Sequence, residues 1–328
     1  MIEDKILDII AITIPVFSLV FIGKALGVKN IITESGRKSL SWITYYLALP
    51  ALILGVFLES DSSELFTLNI FLLSLIPIAV SGISIILLLL PLKADTEKKA
   101  AAIYCSYWGN NGYMGIPLVA AAIGPLKGVA IAAVVNGMTV PFYIAVSVYL
   151  MIRCKSEKRD EHSVVQEVAK VFKNPVIITL IAGTLISYFH IPQYINENGG
   201  QLARTALEII LILTKKLGSM GLPLALILVG SRLNFSEIKA DKLLLAISMT
   251  GKLLIAPLTI FVAVKLFIPD LDKDIFIAMI LLNAVPSAVA SYIISARYKV
   301  AEDFVSSMLV LSTAFSIVTI PIWLYFIL

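Results

Sequence analysis

GNNGYMGIP, residues 109–117, lies in the middle of an otherwise apolar segment that runs from residue 99 to residue 122. Glycine weakens a helix, and proline lacks an amide donor and clashes with the turn before it. A segment of this composition is not expected to form one uninterrupted helix. We therefore predict a helix break here, built from four residues: Gly109, Gly112, Gly115 and Pro117.

The composition places the rest of the chain in a membrane. Hydrophobic residues make up 59% of the 328 residues and charged residues only 15%, and the mean hydropathy is +0.95. A soluble domain carries about 25% charged residues. Apolar stretches of about 20 residues, long enough to cross roughly 30 Å of hydrocarbon, recur throughout, and in lipid they must be helices. We predict an all-α membrane protein with ten transmembrane helices, spans 1 to 10, at 7–27, 36–58, 67–92, 99–122, 128–152, 171–189, 209–231, 243–267, 275–295 and 304–327.

The distribution of basic residues orients these spans. Of the 26 lysines and arginines, 18 lie in the connections that follow spans 1, 3, 5, 7 and 9. In membrane proteins the cytoplasmic loops carry the excess of basic residues. The pattern predicts a multi-pass protein of the cell membrane with both termini outside and the linker 153–173 in the cytoplasm. The net charge of +4 is spread through loops and does not indicate nucleic-acid binding.

The two halves of the chain resemble each other. Three pairs of matching residues follow in the same order: Pro15 with Pro175, Pro50 with Pro223, and Asn110 with Asn283. The first pair is 160 residues apart and the other two are 173 apart. Each half holds five spans, an odd number, so the second half must insert upside down, as in the inverted repeats of secondary transporters. We predict repeats at 1–152 and 174–328, with ten ordinary helices and coincidental prolines as the alternative.

Span 9 contains a second, weaker interruption, with Asn283, Pro286 and Ser287. Paired interrupted helices in matching positions point to a transporter's binding site, because each break exposes the amide end of a half-helix, which attracts carboxylates. The alternative is a proline kink whose asparagine satisfies a neighbouring helix. The first interpretation gives a set of candidate substrate-binding residues: Asn110, Asn111, Tyr113, Lys252, Asn283 and Ser287.

Ionisable residues within the spans are few. All 22 aspartates and glutamates fall in loops or near span ends, which disfavours a cation/proton antiporter, since such a protein needs buried acids. Lys252 lies near the middle of span 8, where a charge costs roughly 2.5–3.5 kcal/mol. Its side chain could attract an anion or could bond carbonyls at a helix break. Lys215 and Lys216 lie nearer the outer face and could extend to the membrane surface.

Other functional classes lack their signatures. A sodium-coupled organic anion symporter of the bile-acid type would share the architecture, but the missing buried acids disfavour its Na⁺ site. An intramembrane enzyme is disfavoured because no HExxH motif, paired intramembrane aspartate or Ser/His arrangement lies within a span. We expect no cofactor and no metal, and Cys105 and Cys154 indicate neither a disulfide nor a metal site. The sequence favours transport of a small organic anion over catalysis.

Six motifs together resemble those of the auxin efflux carrier family, which includes plant exporters and prokaryotic members described as malonate or malate carriers. The motifs are PVFSLVFIGKALG at 15–27, LPALILG at 49–55, GNNGYMGIPL at 109–118, NPVIITLIAG at 174–183, LPLALILVGSRL at 222–233 and GKLLIAP at 251–257. The resemblance covers nearly the whole chain, although the long cytoplasmic loop of the plant exporters is absent.

The resemblance implies that the spans form two domains with different roles. Spans 1, 2, 6 and 7 would form a scaffold, and spans 3–5 and 8–10 a transport domain in which the broken helices 4 and 9 cross. It also implies a homodimer and an elevator-like motion. Asn110 and Asn111 would carry the family's substrate contact, and Pro286 its crossover proline.

Overall fold

The computed structural model describes residues 2–59, 65, 67–154, 169, 173–233, 238 and 240–328. Within these ranges the chain is helical and contains no β-strand, and one isolated antiparallel bridge joins Gly109 to Ser287. Most of the predicted cytoplasmic linker, 153–173, lies outside the described residues.

The described part of the first half forms α1 (Ile2–Val28), α2 (Glu34–Ile43), α3 (Leu49–Glu59), α4 (Leu68–Leu89), α5 (Thr96–Tyr107), α6 (Ile116–Ile123) and α7 (Pro125–Cys154). That of the second half forms α8 (Pro175–Tyr188), α9 (Ile191–Asn198), α10 (Gln201–Gly218), α11 (Gly221–Ser231), α12 (Lys242–Thr250), α13 (Ala256–Phe267), α14 (Lys273–Ala284), α15 (Val289–Tyr298) and α16 (Glu302–Ile327). Short π-turns precede α3, α6 and α13, at Thr44–Ala48, Asn111–Gly115 and Gly251–Ile255.

Seven helical stretches in the described ranges are long and apolar enough to cross a membrane: Glu3–Val28, Glu34–Glu59, Leu68–Leu89, Pro125–Cys154, Gln201–Ser231, Lys242–Phe267 and Glu302–Ile327. The pair α8 and α9, bent by 48°, adds an eighth if it counts as one span. The described ranges are therefore all-helical, and they hold seven helices, or eight with the bent pair, that are long and apolar enough to span a membrane. The regions predicted as spans 4 and 9 each hold two shorter helices instead, α5 with α6 and α14 with α15.

Side-chain caps fix where many of the helices begin. A capping side chain accepts a hydrogen bond from a backbone amide in the first turn, which would otherwise lack a partner. The caps are Thr33, Thr67, Asp95, Asn174, Asp241 and Asp272. These polar residues lie at the boundaries between loops and apolar runs, so the sequence itself determines the start of each of these helices.

Glycines allow α1 and α11 to cross in close contact. A methyl group at Gly23 would lie 2.1 Å from the carbonyl oxygen of Ile227, and one at Gly230 would lie 1.8 Å from that of Val20. Small residues let helix backbones approach in a membrane and gain van der Waals contact. A larger side chain at either glycine would push the two helices apart.

The helices α4, α5, α7, α12 and α16 surround a hydrophobic core. Its largest fully buried side chains include Tyr104, Tyr107 and Phe304. α5 packs against α4 and α12 within this core, and α14 packs against α13 and α16. This packing places the carboxyl ends of α5 and α14 in the interior of the protein.

Candidate functional site

Two non-helical segments meet inside the molecule. α5 ends at Tyr107, Trp108 is extended (φ −81°, ψ 104°), and helical structure resumes in the π-turn Asn111–Gly115 that leads into α6. In the second half, α14 ends at Ala284 and α15 begins at Val289. We call the meeting of these segments, residues 108–110 and 285–288, the crossing.

Backbone hydrogen bonds join the two segments of the crossing. The amide of Asn110 donates to the carbonyl of Pro286 at 2.8 Å, and the amide of Ala288 donates to the carbonyl of Trp108 at 3.0 Å. Backbone polar groups at membrane depth need partners within the protein. Each segment therefore supplies hydrogen-bonding partners that the other has lost by leaving its helix.

Hydroxyl groups satisfy the carbonyl end of α5. The last carbonyls of a helix have no donor within that helix. Ser81 Oγ donates to the carbonyl of Ser106 at 2.9 Å, and Ser287 Oγ donates to that of Cys105 at 2.9 Å. The predicted substrate ligand Ser287 thus uses its hydroxyl hydrogen within the protein.

The side-chain amine of Lys252 donates to the carbonyl end of α14. The side chain is 0% exposed, and Nζ donates to the carbonyl oxygen of Asn283 at 2.6 Å. A cation is favourable at a helix C-terminus, where the carbonyls carry partial negative charge. A methyl group at Gly109 would lie 3.1 Å from Nζ and 3.0 Å from the carbonyl oxygen of Leu282, so Lys252 lies beside the crossing. The sequence left two roles open for Lys252, attraction of an anion and bonding to carbonyls at a helix break. The structure shows the bond to a carbonyl.

Three asparagines at or beside the crossing, Asn110, Asn111 and Asn283, have different environments. Asn283 Nδ2 donates to the carbonyl of Met279 at 2.8 Å, within its own helix. Asn111 is 2% exposed, and its Oδ1 accepts no hydrogen bond from the described residues. Asn110 borders a cavity. Asn110 is therefore the asparagine best placed to meet a ligand from that cavity.

Tyr113 connects the π-turn after the crossing to the region of α2. Its hydroxyl lies 3.1 Å from Ser41 Oγ, and its ring stacks on that of Tyr45 with 6.4 Å between the ring centroids. The predicted substrate ligand Tyr113 thus contacts the second helical stretch of the chain in this structure.

The other residues predicted to break span 4 follow the non-helical segment. Gly112 and Gly115 belong to the π-turn. A methyl group at Gly115 would lie 2.8 Å from Leu282 Cδ2, whereas one at Gly112 would have no atom within 4 Å. Pro117 lies in the first turn of α6, where a proline's missing amide donor is tolerated. Pro117 therefore lies where the π-turn continues into α6, inside the helical stretch Asn111–Ile123, and the non-helical residues precede this stretch.

A cavity of about 550 Å³ extends from the crossing to the ends of α1, α2 and α11. Asn110, Ser287 and Val289 form its wall at the crossing. Its volume falls within the range of about 300–1,000 Å³ that is usual for small-molecule sites. The charged side chains among its described lining residues are Lys24, Glu34, Arg37 and Arg232.

Two of these basic residues bond to groups of the protein. Arg37 Nη2 and Nε contact Glu34 Oε2 at 2.8 and 3.0 Å. Arg37 Nη1 also donates to the carbonyl of Ser231 at 3.1 Å, and Lys24 Nζ donates to the carbonyl of Leu233. Three basic side chains against one acidic side chain give this cavity a positive potential, which attracts anions.

The family of the chain follows from its comparison with known proteins. A family model described as "Membrane transport protein" matches residues 8–324, nearly the whole chain. The chain belongs to the auxin efflux carrier family. Members of this family are multi-pass membrane transporters, so a lipid bilayer and a transported small substrate are its partners.

Two relatives of this auxin efflux carrier family member have similar lengths. The chain is 24% identical over 317 residues to an uncharacterized transporter of Methanocaldococcus jannaschii, with 94% of this chain and 95% of that protein covered. It is 23% identical over 327 residues to a Rhizobium meliloti protein described as a "putative malonate transporter", with 98% and 96% covered.

Sequence reasoning did not single out the basic residues of the cavity in this auxin efflux carrier family member. Lys24 and Arg37 belong to the connection after span 1 and Arg232 to the connection after span 7, and they served only to orient the spans. Only the fold brings them to one cavity. A candidate metal site is absent from the described residues, which contain no group of three or more His, Cys, Asp or Glu side chains suited to a metal ion.

Proposed function

We propose that this protein is a secondary transporter or facilitator of a small organic anion, a mono- or dicarboxylate, which works by elevator-type alternating access. The observation that carries this proposal is the cavity that joins Asn110 at the crossing to an excess of basic side chains. The name of the Rhizobium meliloti relative supports an organic anion as substrate.

The amide ends of two helices favour an anion at the crossing. The first hydrogen bonds after the crossing run from the amides of Met114 and Gly115 to the carbonyl of Asn110. The amides of Asn111, Gly112 and Tyr113 therefore do not donate within this turn, and they carry the partial positive charge of a helix N-terminus. The N-terminus of α15 borders the cavity through Val289 and Tyr292. Two such ends favour a carboxylate and disfavour a cation.

The proposed architecture has ten spans. α5 with α6 would form the fourth span, and α14 with α15 the ninth. The spans would form two inverted repeats, at 1–152 and 174–328. Both termini would lie outside. The cavity would then open to the cytoplasm, because its basic residues lie in connections on that side. Its walls come from α1, α2 and α11 of the proposed scaffold and from α15 and α16 of the proposed transport domain. We also propose that the protein forms a homodimer.

A flux assay in proteoliposomes tests the proposal. The purified protein would be given radiolabelled malonate, succinate, propionate and butyrate, with and without Na⁺ and pH gradients. We expect carboxylate flux that Asn110→Ala greatly weakens. Asn136→Ala is a matched control, because Asn136 is also a buried asparagine but does not line the cavity.

Three outcomes would oppose the proposal. Absence of carboxylate flux above that of empty liposomes would refute the substrate class. Equal loss in the Asn110 and Asn136 variants would refute the site. Flux that requires Na⁺ at constant membrane potential would replace the proposal with a sodium-coupled symporter of the bile-acid type.

A further inference from the structure

Arg232 lines the cavity, and its guanidinium group makes no hydrogen bond or ion pair with any described residue. The residue directly follows α11, and its backbone amide donates to the carbonyl of Val229 at 3.2 Å. Its side chain is exposed and lines the cavity, but makes no hydrogen bond or ion pair with the described residues. Arg37, by contrast, bonds to Glu34 and to the backbone.

The charge of Arg232 is not matched within the described lining of the cavity. Glu34 is the acidic side chain there, and the charge of Arg232 acts on it at longer range. Both hydrogen bonds to the Glu34 carboxylate come from Arg37, however, so Glu34 and Arg37 together are neutral. Arg232 therefore adds a positive charge whose side-chain hydrogen-bond donors are not used by any described residue.

The two parts of the cavity offer two different kinds of anion contact. The crossing offers neutral donors, the amide side chain of Asn110 and the first amides of α15. Arg232 offers a planar fork of donors that fits a carboxylate with two parallel hydrogen bonds. A monocarboxylate bound at the crossing would leave Arg232 without a partner, whereas a second carboxylate on the same molecule would supply one.

We propose, on the basis of the function proposed above, that Arg232 binds the second carboxylate of the substrate and makes the transporter selective for dicarboxylates. A positive charge is also favourable at the carboxyl end of a helix such as α11 without any ligand. The test must therefore separate ligand recognition from a general effect of charge or stability.

Equilibrium binding of malonate and propionate to the purified protein makes this separation. The two anions have the same number of carbon atoms and differ in the second carboxylate. The variants are Arg232→Gln and, as a matched control, Arg153→Gln, which removes a basic residue at the end of α7 outside the cavity. We expect Arg232→Gln to weaken malonate binding about ten- to hundredfold, as for a lost charge-assisted hydrogen bond, and to leave propionate binding unchanged.

Each result bears on one proposal or the other. The role of Arg232 is overturned if the wild-type protein binds both anions equally, if Arg232→Gln weakens both by the same factor, or if Arg153→Gln weakens malonate binding equally. Malonate binding that depends on Asn110 but not on Arg232 would overturn only this inference. Absence of binding of either anion to the wild-type protein would overturn the proposed function as well.

Discussion

Replacement of Gly109 with alanine is expected to force the crossing apart. The added methyl group would lie 2.8 Å from Asn111 Oδ1, 3.0 Å from the carbonyl oxygen of Leu282 and 3.1 Å from Lys252 Nζ. Carbon atoms do not approach other heavy atoms so closely without displacement. The carbonyl oxygen belongs to the backbone of α14, and Lys252 is fully buried and bonded to Asn283. Relief therefore requires a shift of the backbone segments as well as of the Asn111 side chain.

The cost of this substitution follows from two contributions. Overpacking of a buried site costs about 1–3 kcal/mol. The two backbone hydrogen bonds of the crossing, from Asn110 to Pro286 and from Ala288 to Trp108, contribute about 0.5–1.5 kcal/mol each and lengthen if the segments separate. We expect a total loss of about 1–6 kcal/mol in folding free energy, depending on how far the segments move.

Gly112→Ala provides a matched control for Gly109→Ala. Gly112 lies three residues further along the chain, and a methyl group there would have no atom within 4 Å. Alanine in place of glycine in such a position is neutral or stabilises by about 0.4–1 kcal/mol. The measurement is the midpoint of thermal unfolding of each purified variant in the same detergent, followed by malonate flux of Gly109→Ala in proteoliposomes. A wild-type midpoint for Gly109→Ala, or an equal fall for Gly112→Ala, would refute the reasoning.

Three further predictions concern the site. Asn110→Ala should weaken carboxylate binding about ten- to hundredfold, the effect of one lost hydrogen bond to a charged group, at normal expression; unchanged affinity would contradict the assignment. Flux should not require Na⁺ and should follow the ionisation of the substrate as pH changes, which gradients imposed in proteoliposomes would measure. Lys252→Met should lower the unfolding midpoint, because loss of the donor to Asn283 costs about 1–3 kcal/mol, whereas Lys265→Met on the exposed surface of α13 should not.

The sequence predicts the helical content and the region of the first helix break. It does not predict which residues of that region are non-helical. An apolar chain with few charges must be helical in lipid, and GNNGYMGIP marks the region where α5 ends. The non-helical residues, however, lie at 108–110, and Pro117 is in the first turn of α6. Proline is compatible with a helix start as well as with a helix break, so its presence alone does not locate the boundary.

The contacts that hold the crossing together cannot be read from local sequence. Ser287 bonds to the carbonyl of Cys105 across 182 residues, and Lys252 bonds to that of Asn283 across 31 residues. A serine in an apolar helix looks the same in sequence whether it bonds to its own helix or to a distant one. The same limit applies to Arg232, whose position at the cavity depends on the packing of α11 against α1.

The unequal treatment of the helix ends at the crossing supports the proposed preference for an anion. Carbonyl ends of two helices and amide ends of two others meet there. The carbonyl ends receive hydrogen bonds from the protein itself, that of α5 from Ser81 and Ser287 and that of α14 from Lys252. The cavity borders the amide ends, at Asn110 and Val289. Because the negative ends are already satisfied and the positive ends border the cavity, a carboxylate gains more than a cation by binding there.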